Sequence, residues 1–336
     1  MIKRVTLQEF TLETALNEII FLPKAPHKRM NQIIFIVGPT ATGKSEVALA
    51  LAKTLKAEIV SCDSMLIYKE PAIITAKPSK ETLKEVKHHF INSISVKKEY
   101  NVFDYYKAAR KKIEQLIKKK TKVIVCGGTG LYMKALLDGI FKGPAKDEVL
   151  RKQLEERAGI QGNKTLYEEL ERVDKQASQK ISQNDLKRII RALEVYQLTG
   201  KKISSFQGQD QGLYSKFKIR IFAFSLDRQA LYERINIRTD KMFALGLLKE
   251  VEGLLKKKLS ITAQKIIGIS EIKSFLNKDL SQDEAKELIK KNTRQFAKRQ
   301  LTWFRKDKRV EWIDIANLKP SDIGKDILRR LKSKVN

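Results

Sequence analysis

A segment near the beginning of the chain has the residue types and the spacing of a phosphate-binding loop. Its eight residues are Gly38, Pro39, Thr40, Ala41, Thr42, Gly43, Lys44 and Ser45. Glycines at 38 and 43 permit backbone torsions that a Cβ would forbid, so successive N–H groups can point at one anion. Lys44 adds a full positive charge, and the Ser45 hydroxyl is placed to ligate a Mg²⁺ ion that the phosphates carry. The pattern predicts a di- or triphosphate site, and the alternative is a fortuitous glycine-rich turn.

The residues on either side of this loop have the patterns of a strand and a helix. Residues 33–37 form a short apolar run before the loop, and residues 46–53 show helical periodicity after it. A helix that begins here would add partial positive charge at the same place. The loop therefore lies in the context that a phosphate-binding pattern requires.

Strand and helix patterns alternate along much of the chain. Further strands are predicted at 58–62, 90–94, 122–126 and 218–224, and further helices at 102–120, after Asp227, and at 281–306. This alternation favours a parallel sheet with helices on both faces. The predicted fold class is α/β: a P-loop NTPase-like parallel sheet flanked by helices, with an all-helical insertion domain.

The insertion is the charged, helical segment that shows no strand pattern. We predict a catalytic core with C-terminal helices over 31–140 and 206–320, and the helical insertion over 141–205. Apolar residues at helical spacing, followed by two prolines, predict a short accessory helix and a linker over 1–30. Met30 lies just before the first strand, so the alternative is that translation begins there and the preceding residues are an untranslated leader.

The chain is strongly basic. It has 68 lysine and arginine residues against 39 aspartate and glutamate residues, which gives a net charge of +29. A polyanionic partner explains this excess, and a lysine-rich genome is the alternative. No apolar run approaches the length that spans a bilayer, and no secretory signal pattern is visible. Cys62 and Cys126 lie inside apolar runs without metal-ligand spacing, which indicates buried thiols and a cytoplasmic protein.

One carboxylate, Asp63, follows a predicted strand at the edge of the sheet where ligands bind. A kinase or ATPase with this loop usually holds its metal with a carboxylate after a later strand. Here that strand ends in Cys126-Gly127-Gly128-Thr129. A carboxylate beside a bound diphosphate can act as a base toward an incoming nucleophile. The alternatives for Asp63 are a helix N-cap and a ligand of metal-bound water.

Six motifs together resemble those of the tRNA dimethylallyltransferases, or tRNA isopentenyltransferases, of the IPP transferase family. They occur in the family's order between about residues 33 and 305. They are the phosphate-binding loop, Asp63-Ser64 with Tyr68, Thr75-Ala76-Lys77-Pro78, Gly127-Gly128-Thr129-Gly130-Leu131-Tyr132, Arg188 with Arg191-Ala192-Leu193-Glu194, and Arg294-Gln295 with Ala297-Lys298-Arg299-Gln300 and Trp303.

The resemblance implies a prenyl transfer at the predicted diphosphate site. Dimethylallyl diphosphate would bind the loop, and the N6 amine of the adenosine beside the anticodon would attack its allylic carbon. The implied cofactor is Mg²⁺, with Ser45 as its ligand, and Lys44 would lie beside the diphosphate. The implied catalytic residues are Asp63 as the base, Ser45, Thr129 and Arg238. The implied partners are dimethylallyl diphosphate and the anticodon stem-loop of tRNA, with no membrane, and nothing in the sequence demands more than a monomer.

Three groups of residues are implied to contact the RNA. The base pocket would be formed by Asp63, Ser64, Met65, Leu66 and Thr129. The anticodon stem-loop would meet Arg151, Lys187, Arg188, Ile189, Ile190 and Arg191. A C-terminal helix would contribute Lys298, Arg299, Gln300, Trp303 and Arg305. The alternative for the second group is a solvated helix face, and for the third an amphipathic core helix with a charged exterior.

The sequence departs from the family pattern in four places, all outside the diphosphate loop. They are the segment 70–74, which lacks the family's two glycines, Leu66 in place of glutamine, Ser182-Gln183 in place of His-Pro, and Ile269-Ser270 in place of tyrosine and a basic residue. Three rival functions stay open. They are an adenylate isopentenyltransferase, a nucleoside or small-molecule kinase, and a non-catalytic RNA-binding protein.

Overall fold

The computed structural model describes residues 32–141, 143–206 and 211–333, so the helix and linker predicted for 1–30 lie outside it. Backbone contacts divide the chain into two units. The first comprises the described residues up to Lys134 and from Lys216 onward, and the second runs from Ala135 to Ser215. These boundaries enclose a longer insertion than the 141–205 predicted from composition.

Among the described residues, six strands form one sheet in which every pair is parallel, in the order β3-β2-β4-β1-β5-β6. The strands are β1 (Gln32–Val37), β2 (Ala57–Ser61), β3 (His88–His89), β4 (Lys122–Gly127), β5 (Lys218–Ser225) and β6 (Val310–Asp314). The central strand β1 is buried almost throughout, as expected of a parallel strand that is covered on both faces. The predicted α/β class is confirmed.

Thirteen α-helices accompany the sheet in the described part of the chain. In order they are α1 (Lys44–Leu55), α2 (Lys80–Glu85), α3 (Val102–Lys118), α4 (Gly130–Asp138), α5 (Glu148–Gln161), α6 (Asn163–Val173), α7 (Lys175–Ser178), α8 (Leu186–Thr199), α9 (Arg228–Ala244), α10 (Leu247–Leu255), α11 (Ile269–Leu276), α12 (Gln282–Arg305) and α13 (Pro320–Lys332). Helices α5 to α8 belong to the second unit, which contains no strand among its described residues. No helix of the described residues is long and apolar enough to cross a membrane.

One face of the sheet packs against α1 and α13. Val47 and Leu51 of α1 and Ile323 and Ile327 of α13 share a buried cluster with strand residues such as Ile124. Burying each such side chain contributes about 1.5–3 kcal/mol, so this cluster holds the beginning of α1 firmly at the end of β1.

Three parts of the fold differ from the sequence-based expectation. The strand predicted at 90–94 is wrong, because Phe90 and Asn92 have φ angles of +63° and +52°, which a β-strand cannot contain. The strand at this edge is the two-residue β3 instead. Strand β6 and helix α13 were not predicted, although α13 has a strongly one-sided apolar pattern.

Candidate active site

The loops that follow β1, β2 and β4 lie at one edge of the sheet, because these three strands are neighbours and parallel. The first is the phosphate-binding loop, the second begins with Asp63, and the third contains Gly128 and Thr129. Three strand ends therefore converge at the edge where the sequence placed Asp63.

The phosphate-binding loop has the backbone shape that its glycines predict. Gly38, Ala41 and Gly43 have φ angles of +131°, +64° and +74°. A Cβ on Gly38 would lie 3.2 Å from the backbone nitrogen of Phe224, so space as well as torsion favours glycine there. Gly43 caps α1 without a side-chain hydrogen bond, which leaves the first N–H groups of the helix to an anion.

Lys44 is the cation inside this loop. Its Nζ donates a hydrogen bond to the Pro39 carbonyl oxygen. Burial lowers the pKa of Lys44 to about 8, although the neighbouring Cys126 and Asp63 act in the opposite direction. The ammonium group is therefore charged at neutral pH and poorly solvated, a state that a bound diphosphate would stabilise.

Asp63 lies directly after β2 in a tight turn. Its Oδ1 accepts hydrogen bonds from the backbone nitrogens of Met65 at 2.9 Å and Leu66 at 3.4 Å. These bonds hold a turn at residues 64–67 and not the helix N-cap of the alternative, because no described helix begins there. The turn engages one oxygen, and Oδ2 receives no hydrogen bond from the described residues. The turn fixes the carboxylate and leaves one oxygen for a proton.

Thr129 joins the loops that follow β2 and β4. Its Oγ1 accepts a hydrogen bond from the Ser64 backbone nitrogen at 3.0 Å, and its own backbone nitrogen donates to the Cys62 carbonyl oxygen at 3.1 Å. The Thr129 hydroxyl also lies 3.3 Å from the Ser64 hydroxyl. Thr129 therefore holds the turn that presents Asp63.

Arg238 of α9 reaches the phosphate-binding loop from the other side. Its Nη1 donates to the Thr40 hydroxyl at 2.8 Å. Burial lowers the pKa of Arg238, while the charge of Asp63 raises it. Because an arginine titrates far above neutral pH, Arg238 remains a cation close to both the loop and the carboxylate.

Two cavities adjoin at this point and share Thr40, Asp63, Arg238 and Gln300 in their linings. The larger, about 790 Å³, contains the phosphate-binding loop from Thr40 to Ser45. The smaller, about 460 Å³, is more apolar and is lined in addition by Ser64, Met65, Thr129, Leu131, Phe296 and Trp303. Leu66, which the resemblance places in the base pocket, lines the larger cavity instead. One cavity thus suits an anion, and the other suits a flat, partly apolar group.

Helix α12 has a charged outer side and a buried inner side. Lys298, Arg299 and Arg305 are exposed, whereas Gln300 is 6% exposed. Trp303 is half-buried against Gly130, where a Cβ would collide with its ring. Helix α12 is therefore an amphipathic core helix with a charged exterior, and its exposed basic residues leave the predicted RNA contacts open.

Two residues that position the site are not among the predicted site residues. Phe296 lines both cavities, and its place among the basic residues of α12 was the sequence signal for it. Glu250 accepts hydrogen bonds from the backbone nitrogens of Ala72, Ile73 and Ile74, each at 2.8 Å. These bonds order the segment that lacks the family's glycines. No local pattern links position 250 to that segment.

The residues of the insertion that were predicted to meet RNA fall into two classes. Lys187 and Arg188 are exposed on α8. Ile189 and Ile190 are buried in the apolar core of the insertion, with 0% and 3% exposure, so their side chains offer no surface to RNA. The expectation of side-chain contacts from these two isoleucines therefore needs correction: they hold α8 in place.

Arg151 and Arg191 both bind the buried carboxylate of Glu194. Arg151 donates to Oε1 and Oε2 at 2.8 Å each, and Arg191 donates to Oε2 at 2.6 Å. Burial would raise the pKa of Glu194, but these bonds, with one from the Asp147 backbone, lower it to about 2. Both arginines thus neutralise an internal anion.

We expect Arg151→Met to lower the free energy of unfolding by about 3 kcal/mol, because it leaves Glu194 buried with one cation fewer. Urea denaturation followed by circular dichroism measures the change. Arg172→Met, at an exposed position on α6, is the matched control and is expected to change stability by less than about 0.5 kcal/mol. A loss of RNA affinity with unchanged stability would contradict the internal role of Arg151.

Known proteins are similar to this chain over most of its length. Residues 66–307 match the family model described as IPP transferase. A tRNA dimethylallyltransferase from Pelotomaculum thermopropionicum is 41% identical over 301 residues, which cover 88% of this chain and 95% of that protein. One from Carboxydothermus hydrogenoformans is 41% identical over 306 residues, which cover 90% of this chain and 96% of that protein.

Solved structures are similar as well. The full-length tRNA isopentenylpyrophosphate transferase from Bacillus halodurans gives a TM-score of 0.66 at 31% identity, covering 90% of this chain and 97% of that one. A eukaryotic dimethylallyltransferase acting on tRNA gives 0.74 at 25% identity, covering 90% and 77%. The P-loop-like fold and the resemblance carried by the six motifs are confirmed. This chain belongs to the IPP transferase family.

Proposed function

We propose that this enzyme transfers a dimethylallyl group from dimethylallyl diphosphate to the N6 amine of the adenosine beside the anticodon of tRNA. One observation carries the proposal: Asp63 and Arg238 line both an anion-binding cavity and an adjoining, more apolar cavity. A base and a cation at this junction suit a reaction in which one substrate is deprotonated while the other loses diphosphate. Relatives of about 40% identity that bear the name tRNA dimethylallyltransferase support this function.

The mechanism follows from the residues at the junction. The adenosine amine attacks the allylic carbon, the bond from that carbon to the diphosphate oxygen breaks, and the amine proton passes to Asp63. An aryl amine is a weak nucleophile, so a fixed base is expected to contribute about 10²–10⁴-fold in rate. Negative charge develops on the leaving diphosphate, where the loop N–H groups, Lys44 and Arg238 stabilise it.

A magnesium ion fits the donors at this site. The Ser45 hydroxyl lines the anion cavity, and the described residues contain no cluster of three His, Cys, Asp or Glu side chains that could bind a metal alone. Mg²⁺ prefers oxygen ligands and commonly combines few protein ligands with phosphates and water. Ser45 would hold the ion together with the diphosphate, and the bound ion would neutralise charge on the leaving group.

The RNA is expected to bind through the basic outer side of α12 and through Lys187 and Arg188. The target adenine must leave its stack to enter the smaller cavity, which its position in a single-stranded loop makes easier. Since each phosphate contact releases counterions, we expect the affinity for tRNA to fall at least tenfold between 50 and 200 mM salt, roughly. Filter binding measures this dependence. A salt-independent affinity would contradict the basic surface as the RNA site.

The pH dependence of dimethylallyl diphosphate binding should report the protonation state of Lys44. The pKa of Lys44 is lowered to about 8, so the charged form predominates below that pH, is half lost at it and is largely lost well above it. The diphosphate is fully ionised in this range. We expect the KM for dimethylallyl diphosphate to stay level up to about pH 7 and to rise by about tenfold by pH 9.5 as this charge is lost. The KM for tRNA serves as the internal control, and a level KM for the diphosphate up to pH 9.5 would contradict this role.

A direct assay tests the proposed function against its rivals. The enzyme is incubated with unmodified tRNA and dimethylallyl diphosphate, and the nucleosides are analysed by mass spectrometry. A parallel reaction with AMP tests an adenylate isopentenyltransferase, and labelled γ-phosphate of ATP tests a kinase. Prenylated adenosine in tRNA is expected, and turnover of AMP alone would refute the proposal. The end of β4 argues against a kinase, because it has Cys126-Gly127 where a kinase usually has a metal-binding carboxylate.

Two further expectations accompany this proposal. We expect a monomer to be the active species, because the proposed reaction uses only residues already assigned within this chain. The two thiols, Cys62 and Cys126, are buried and unpaired, which supports the cytoplasm, where thiols stay reduced, as the place of action.

A further inference from the structure

We propose that Gln300 is a positioning residue for the reaction and acts on the phosphate-binding loop and, through it, on Arg238. The inference rests on the proposed function, and it gives Gln300 an internal role in place of the RNA contact implied by resemblance. Gln300 is on α12, beside the exposed Lys298 and Arg299, but its own side chain is turned into the protein and is 6% exposed.

The side-chain amide of Gln300 bridges the loops after β1 and β4. Its Oε1 accepts a hydrogen bond from the Thr40 backbone nitrogen at 2.9 Å, and its Nε2 donates to the Gly128 carbonyl oxygen at 2.8 Å. A backbone N–H can only donate and a carbonyl can only accept, so these partners fix the orientation of the amide. Glutamate lacks the donor, methionine lacks both groups, and asparagine is one methylene shorter. Only a glutamine reaches both loops with both functions.

The space around this amide is equally restricted. A Cβ on Gly128 would collide with Nε2 of Gln300, so glycine at 128 permits the close approach. The bond to Gly128 is buried and the bond from Thr40 is partly buried, and a buried polar group that loses its partner costs about 1–3 kcal/mol. The bridge therefore holds the two loops at one separation.

The bridge continues to the catalytic cation. Gln300 holds the backbone of Thr40, and the hydroxyl of Thr40 accepts the 2.8 Å hydrogen bond from Arg238. That bond is the only hydrogen bond of the Arg238 side chain within the described residues. Displacing Thr40 would displace Arg238 relative to the leaving diphosphate. A misplacement of about 1 Å can cost about 10²-fold in rate, so a residue that acts through Thr40 and Arg238 can matter at this scale.

The test compares Gln300→Met with Gln282→Met, an exposed glutamine in the first turn of the same helix. We expect Gln300→Met to lower kcat/KM for dimethylallyl diphosphate by about 30–100-fold and to weaken binding of magnesium diphosphate, measured by calorimetry. The Kd for tRNA should stay within about twofold, and Gln282→Met should match the wild type. Loss of tRNA affinity with intact diphosphate binding would overturn the proposal and restore the RNA contact.

A double-mutant cycle separates positioning from general stability. Thr40→Val removes the hydroxyl that holds Arg238 and keeps the backbone N–H that bonds Gln300. If Gln300 and Thr40 both act through Arg238, the double variant loses little more activity than the less active of the two single variants. Losses that multiply would overturn the proposal, and so would unfolding of both Gln300→Met and Gln300→Glu in circular dichroism. A wild-type enzyme that fails to prenylate tRNA would refute the proposed function itself, a result distinct from all of these.

Discussion

Asp63→Asn is expected to lower kcat for prenyl transfer by about 10³-fold, within the range that general bases contribute. Asparagine keeps an oxygen for the hydrogen bonds from the backbone nitrogens of Met65 and Leu66, so the turn after β2 should survive. The amide cannot accept a proton from the attacking amine. Single-turnover assays with saturating tRNA and dimethylallyl diphosphate isolate this step. The Kd for tRNA is expected to stay within about twofold, because the change removes no cation that could contact RNA phosphates.

Asp104→Asn is the matched control for this change. Asp104 belongs to a capping box at the beginning of α3, where it is exposed and outside both cavities. The Asp104→Asn variant should therefore keep the wild-type kcat. If Asp63→Asn also kept its activity, Asp63 would serve only to hold the turn that its hydrogen bonds form. Asp63→Ala, which removes the turn bonds as well, would then lose stability without a specific loss of rate.

Arg238→Gln is expected to lower kcat/KM by about 10²–10³-fold, the scale observed when one stabilising donor is removed from an active site. Glutamine carries no charge and is two bonds shorter, so it loses the cation together with the hydrogen bond to the Thr40 hydroxyl. The loss should appear mainly in kcat, since the negative charge on the diphosphate increases as the carbon–oxygen bond breaks. Binding of magnesium diphosphate by calorimetry should weaken less than the transition state does.

Arg228→Gln on the same helix is the control, because Arg228 is exposed and pairs with Tyr232 outside the cavities. An Arg238→Gln enzyme with normal kcat and a raised KM would show that Arg238 contributes uniform binding, and the assignment to the leaving group would be wrong.

The sequence predicted those elements of the fold whose structure depends on neighbouring residues. The phosphate-binding loop needs two glycines, a strand and a helix within about twenty residues, and all are visible in sequence. The strand at 90–94 failed because apolar composition says nothing about the left-handed torsions of Phe90 and Asn92. Strand β6 is five residues long and follows a charged stretch, so its pairing with β5 is decided by the sheet it completes.

The same distinction applies to the site. Residue types and motif resemblance brought together Lys44, Asp63, Thr129 and Arg238, which the structure places around the two cavities. The partners of Gln300 at Thr40 and Gly128 were invisible, because contacts between distant segments have no local signature. The isoleucines at 189 and 190 were misassigned since a motif match does not tell which side of a helix faces inward.

The sheet order has a consequence for synthesis on the ribosome. β1 pairs on one side with β5, so Ile33 can pair with Ile219 only after β5 has been synthesised. The edge strand β6 is synthesised later still, beginning at Val310. The helical insertion is made before β5, so we expect it to fold while β1 still has an unpaired edge. Limited proteolysis of stalled nascent chains would show this order as early protection of the insertion. Protection of β1 before β5 has emerged would disprove it.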